Sequence, residues 1–285
     1  MLRLFLIFIT ATIPAFASDH ALHDQITGLF KQHQWPEAQT ILEKLTVSEP
    51  TNAEAWYYLA ETFIARNDAE KALSASEKAT SLDPTQSRYF LQVGHAAGLS
   101  ALKAGLFAKL GFARQCKTAY DKAVELDPKS IDARWSVMEY CRQAPGFLGG
   151  GLDQAYTQAE EIKKLDARRG VQAYAVLYIA DRKYNEASAL YEDVLLRKPG
   201  DGDALYNIGR LAALSGERLD RGLAALHEYL EKEPQANHAR TYTRIGNIIE
   251  KKGDKPGARA AYATALKIDP DFKQASEALS KLSAP

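Results

Sequence analysis

Residues 53–84 read AEAWYYLAETFIARNDAEKALSASEKATSLDP, and this stretch decides the fold. Trp56, Leu59, Ala60 and Phe63 recur at spacings of three and four, which places them on one face of a helix. Asn67-Asp68 supplies turn chemistry. Ala72 and Ala79 then mark a second helix, and Pro84 closes it. The segment predicts two helices whose small residues let them approach and whose large residues fill the groove alongside.

The same ending returns along the chain. KATSLDP closes at Pro84, KAVELDP at Pro128 and TALKIDP at Pro270, with further closures at Pro50, Pro199 and Pro234. A period near 34 residues indicates a repeated helix pair, and each copy can bury its apolar face only against its neighbours. Seven copies are readable, at residues 19–52, 53–86, 87–130, 131–167, 168–201, 202–238 and 239–270. Residues 271–283 (DFKQASEALSKLS) form a polar, amphipathic segment suited to cap the last copy.

This pattern resembles the tetratricopeptide repeat, with its large–Leu–small–aromatic signature on helix A and small–large–Ala–Pro on helix B. The resemblance implies an all-α fold, a right-handed α-α superhelix (a tetratricopeptide solenoid) of about seven helix-turn-helix units plus a C-terminal capping helix. It also implies a non-catalytic scaffold that binds a protein or peptide. Residues 109–151 are in addition distantly similar to secreted bacterial tetratricopeptide proteins and to the regulator of microtubule dynamics family. That likeness brings no catalytic residue across, and microtubule binding is not inferred from it.

In this family the inner surface is lined by helix A of each unit. The positions that match here include Tyr57, Glu61, Arg88, His95, Trp135, Glu139, Arg142, Arg169, Tyr206 and Arg210, together with Thr243 and Asn247. Aromatic and arginine side chains are the usual anchors of a binding surface, and mixed charges set register. Co-chaperone members grip a C-terminal carboxylate through Lys and Asn on helix A. The fifth helix-A positions here are His23, Tyr57, Leu91, Trp135, Gln172, Tyr206 and Thr243, so that clamp is absent.

The period breaks in the third and fourth units. Ala97 and Cys116 are 19 positions apart, where the matching pair Phe63 and Ala72 are 9 apart, so GLSALKAGLFAKLGFAR holds ten extra residues. Cys141 and Ala155 are 14 apart, which leaves five extra within APGFLGGGLD. Both insertions fall between helix A and helix B and are expected on one edge of the repeat stack. Their content is apolar: Leu99, Leu102, Leu106, Phe107, Leu110 and Phe112 in the first, Phe147 and Leu148 in the second. Either the leucines pack onto Phe147 and Leu148 as a satellite core, or Leu102, Leu106, Phe107, Phe147 and Leu148 form a partner-docking or self-association edge. The run Gly149-Gly150-Gly151 has no following Lys-Ser/Thr and no preceding strand, which excludes a P-loop.

The remaining numbers narrow the function. Lys+Arg and Asp+Glu are both 36, so no net field favours nucleic acid. No nucleophile elbow, HExxH helix or dinucleotide-binding glycine loop occurs, and no cofactor, metal site or enzymatic activity is expected. Cys116 and Cys141 fall on helices expected to be neighbours; they read as small buried hydrophobes, or as a disulfide pair. Residues 1–17 combine Arg3, an apolar run from Leu4 to Ile13 and Ala15-Phe16-Ala17, the pattern of a signal peptide cut after Ala17. A secreted, periplasmic protein follows, with no membrane span once the leader is removed.

Overall fold

The computed structural model describes residues 15–283, apart from Gln235 and Asn237, and every regular element among them is helical. The described residues divide after Gln158 into two compact bodies. In the first lie α1 (Ala15–Lys31), α2 (Trp35–Ser48), α3 (Ala53–Ala65), α4 (Ala69–Leu82), α5 (Ser87–Lys103), α6 (Leu106–Leu126) and α7 (Ile131–Gln143). A single 3-10 turn follows at Gly146–Leu148, and the division falls inside α8 (Leu152–Leu165). The second body holds α9 (Ala167–Ala180), α10 (Tyr184–Arg197), α11 (Gly202–Ser215), α12 (Leu219–Lys232), α13 (Ala239–Lys251), α14 (Lys255–Ile268) and α15 (Lys273–Ser283). Residues 1–14 of the expected leader lie outside the described residues, and its Ala15–Ala17 begin α1.

Several helix starts carry side-chain caps. The Asn52 side chain accepts from the Ala55 amide, Ser130 from Ala133, Asp166 from Arg169, Asp201 from Ala204 and Asp254 from Gly257, at 2.9–3.2 Å. Each bond satisfies an amide that has no partner inside the helix and contributes about 1 kcal/mol. Helix ends carry a second device. The Asp83 carboxylate accepts from the amide and hydroxyl of Thr85, Asp127 from the amide of Lys129, and Asp269 from that of Asp271. The aspartate of each Leu/Ile-Asp-Pro closure therefore builds an Asx turn, while the following proline blocks continuation of the helix.

Between the two helices of a regular pair the chain reverses through one left-handed residue. His33, Asn67 and Arg182 fill it with φ of 57–61°, in the same phase of the repeat. Buried small residues on helix A and large ones on helix B then interlock. In the first body Ala60, Phe63, Ala72 and Leu42 share one core with Tyr58 and Leu59. In the second, Ala175, Leu205, Ile208 and Tyr191 form one cluster, and Leu226, Ile245 and Ile248 form another.

The insertion in the third unit is not a loop. It lengthens both of its helices, α5 to 17 residues against 13 in α3, and α6 to 21 against 14 in α4. The fourth-unit insertion stays irregular and needs its glycines. Gly149 has φ of 78°, and a Cβ on Gly150 would sit 1.8 Å from the Ala144 carbonyl oxygen. The Gly151 amide donates to the Cys141 carbonyl at 2.7 Å, which folds the loop back on the end of α7. The glycine run serves backbone geometry.

Candidate functional site

The helix-A surface of the first body is built by α3, α5 and α7, with α5 touching both others. The Arg88 guanidinium carbon lies 5.0 Å from the ring centres of both Tyr57 and Tyr89, which are themselves 5.3 Å apart. Glu54 approaches the same guanidinium at 3.4 Å. Arg88 is thus held by two ring faces and a carboxylate while its side chain remains exposed. Burial, then the charge of Glu61, pushes the Tyr57 hydroxyl up to about 12, so it stays a neutral donor and acceptor. Glu61 is half-buried, with no ion pair or hydrogen bond among the described residues, and burial raises its pKa. A carboxylate beside Tyr57 with no ion-pair partner among the described residues is a ready acceptor for an incoming amide or cation.

Further along, His95 meets the Ser136 hydroxyl at 3.4 Å and the Tyr120 ring edge-on at 5.6 Å. Surrounding protein lowers its pKa, with Asp132 opposing. Trp135 is half-buried on α7. Glu139 and Arg142 do not project as separate charges; they pair with each other at 2.6 Å along one helix face, and the Gln143 amide joins them.

In the second body Tyr206 accepts from Arg244 Nε at 2.9 Å and packs 5.3 Å from Tyr229. Arg210 is half-buried and its Nε has no hydrogen-bond partner among the described residues. The Arg169 backbone amide is taken by the Asp166 cap, and its side chain is half-buried. Thr243, expected on the open surface, is buried instead, and its hydroxyl is satisfied by the Ala239 carbonyl one turn back.

Two clefts in this body were not legible in the sequence. The first, about 400 Å³, has a floor of Val171, Tyr191, Val194 and Ala204 between α9, α10 and α11. Its rim charges pair off, Arg168 with Asp203 and Lys198 with Asp201, leaving an apolar interior with a neutralised edge. The second, about 510 Å³, is lined by Tyr206, Tyr229, Arg240 and Phe272, and Asp203 borders both. Such cavities arise from non-adjacent helix ends and leave no local motif.

The insert edge is only partly packed. Leu99, Leu110, Phe112 and Leu148 are half-buried, whereas Leu102, Leu106, Phe107 and Phe147 are 78%, 72%, 88% and 73% exposed. The two segments do not close into a satellite core, because lengthening α5 and α6 carries the leucine tip away from the glycine loop. That loop instead lies beside Lys117 in the middle of α6, and the Leu148 carbonyl accepts from the Tyr140 hydroxyl at 3.0 Å. Cys116 and Cys141 are free, buried thiols. Burial pushes Cys116 up to about 11 and raises Cys141 as well.

Comparison with known proteins gives a consistent picture. Family models described as tetratricopeptide repeat match residues 29–92 and, in overlapping copies, 175–217 and 211–272. Cellulose synthase operon protein C of Pseudomonas fluorescens is 28% identical over 156 residues, 52% of this chain but 12% of that protein. The chain spans less than half the length of each of the curated relatives it matches. Among solved structures, a tetratricopeptide repeat protein from Parabacteroides merdae is 15% identical, with a TM-score of 0.62 over 94% of this chain and 100% of that one. Yeast Tom70, also 15% identical, gives 0.63 over 88% of this chain and 51% of its own. The family matches cover more than half of the residues, and the chain belongs to the tetratricopeptide-repeat family, whose fold is consistent with a protein-binding scaffold or adaptor.

Proposed function

We propose that this tetratricopeptide-repeat chain is a non-catalytic adaptor of the cell envelope that holds a peptide or protein segment on its helix-A surfaces. One observation supports this above the others: Tyr57, Arg88 and Tyr89 form a preassembled aromatic–guanidinium surface beside the unpartnered carboxylate of Glu61. Such a surface offers stacking area, a cation and an acceptor at little ordering cost. The clefts of the second body supply further recesses for side chains. A cell-envelope location rests on the leader-like residues 1–17.

The test is selection of peptides from a displayed library on the full-length protein, followed by titration of the selected peptides. Tyr57→Ala and Trp135→Ala should each weaken binding at least about fivefold, whereas Lys78→Ala on helix B should leave it unchanged. Peptides that bind all three variants alike would refute the surface assignment. N-terminal sequencing of the protein recovered from an envelope fraction should begin at Ser18; recovery with Met1 intact would refute the location.

A second reading is favoured by the exposure of Leu102, Leu106, Phe107 and Phe147: self-association through the insert edge. Sedimentation equilibrium decides it, since a mass independent of concentration removes the reading.

A further inference from the structure

The chain is neutral overall, but its charge is not evenly placed. Residues 84–120 contain no Asp or Glu, while Arg88, Lys103, Lys109, Arg114 and Lys117 fall within them. This stretch forms α5 and most of α6, the hairpin lengthened by the insertion. α5 begins and α6 ends in the same repeat phase as α3 and α4, so the extra residues are all at the turn. Four extra residues on α5 and seven on α6 carry the tip about 6–10 Å beyond its neighbours, at 1.5 Å of rise per residue.

The tip is apolar with a basic collar. Leu102 lies in the last turn of α5, Leu106 and Phe107 open α6, and all three are exposed. Lys109 follows Leu106 by three positions and sits beside it, while Arg114 follows Phe107 by seven, on the same helix face but about 10 Å further from the tip. Neither Lys109 nor Arg114 has an ion-pair or hydrogen-bond partner among the described residues; Lys103 reaches back to the Asn67 carbonyl. The acidic groups nearest the hairpin are on α4 or just before it. Asp68 and Glu70 share a cleft with Lys103 and Ala104, Asp68 being paired with Lys71. Glu77 meets Gln115 beside Arg114, about 14 Å from the tip by helix rise. None of them lies among Leu106, Phe107 and Lys109.

We propose that this tip inserts into the interfacial region of a phospholipid bilayer carrying anionic headgroups. Leu102, Leu106 and Phe107 enter the acyl boundary, and Lys109 and Arg114 lie against the headgroup phosphates. The projection matches the depth of about 5–10 Å at which interfacial apolar groups sit. Charge also separates this occupant from a second copy of the chain, because two basic tips brought face to face repel. Three side chains make a shallow anchor, so attachment is reversible and depends on the anionic lipid. The helix-A surfaces are not involved, and this inference stands or falls independently of them.

Vesicle flotation of the full-length protein tests it. The wild type should float with phosphatidylcholine vesicles that contain phosphatidylglycerol, stay behind with phosphatidylcholine alone, and be released by salt. Lys109→Glu and Arg114→Glu should each reduce the bound fraction about fivefold, and Phe107→Asp should abolish flotation. Because these residues are exposed, thermal unfolding should be unchanged. Phe107→Trp gives a second readout: its emission should shift to the blue on adding the anionic vesicles and not the neutral ones. A wild type that binds neither vesicle overturns the proposal, whether or not Phe107→Asp disrupts a dimer or a complex with an acidic protein. Equal flotation on both vesicles, or equal flotation of wild type and Phe107→Asp, overturns it too.

Discussion

Gly209 of α11 faces Leu226 of α12 so closely that a Cβ on the glycine would lie 2.2 Å from the leucine Cγ. Leu226 is fully buried and cannot swing away, so the helix pair closes only because the side chain at 209 is missing. Gly94 stands in the same relation to Tyr120, and Gly246 to Tyr262.

Gly209→Ala therefore trades a helix-propensity gain of about 1 kcal/mol against overpacking of about 1–3 kcal/mol. We expect a net loss and a lower urea midpoint. Gly28→Ala is the control, since beyond its own stretch of helix no atom of the described residues lies within 4 Å of the added Cβ; it should raise the midpoint slightly. If both changes act in the same direction, the close approach is not what excludes a side chain.

Glu61 links stability to pH. Burial raises its folded pKa above the ordinary carboxylate value, so folded protein binds that proton better than unfolded protein does. The associated stability is present at acid pH and is lost as pH rises through the raised pKa. Glu61→Gln should accordingly melt higher than wild type at pH 7.5, and the gap should shrink toward pH 4. Asp83 has the opposite sign, because hydrogen bonds from Thr85 lower its pKa. Asp83→Ala should melt lower at pH 7.5, with part of that deficit vanishing as pH falls through the carboxylate range.

The two cysteines give a counting experiment. Both are buried, and raised pKa values leave almost no thiolate at neutral pH. A disulfide-exchange reagent should titrate no thiol in native protein at pH 7.5 and two after denaturation. Fewer than two in the denatured, unreduced sample would mean that the pair had oxidised.

In the glycine loop, Gly150→Ala drives a Cβ into a backbone carbonyl, which cannot rotate away as a side chain can. Opening the loop breaks the Gly151-to-Cys141 hydrogen bond, and we expect a loss of about 1–3 kcal/mol. Hydrogen exchange should report it as faster exchange confined to the end of α7 and the start of α8.

Several of these relationships could be read from the chain alone. The Trp56–Leu59–Ala60–Phe63 spacing, the alanines at 72 and 79 and the closing prolines defined the helix pair, because helix period and helix termination depend on residues a few positions apart. The Asx turns at Asp83, Asp127 and Asp269 are equally local, each spanning two residues across the closing proline. Candidate site residues were less legible. Tyr57 and Arg88 are brought together from α3 and α5, and the charge of Glu61 acts on Tyr57. Glu139 and Arg142, read as two presented charges, neutralise each other, an outcome of rotamers that spacing does not fix.

The amino-acid sequence by itself determined that this protein is a series of helix pairs with a disturbed centre, since small-against-large periodicity leaves one way to bury each face. Only the tertiary structure decided what the disturbance does. Ten extra residues could have folded back as a core or run on as helix; they run on, leaving Leu102, Leu106 and Phe107 outside and two clefts open elsewhere in the chain. Whether a side chain is covered depends on what stands opposite it in space, and here that neighbour is a helix away, as Leu226 is from Gly209, or a whole repeat away, as Glu54 is from Arg88.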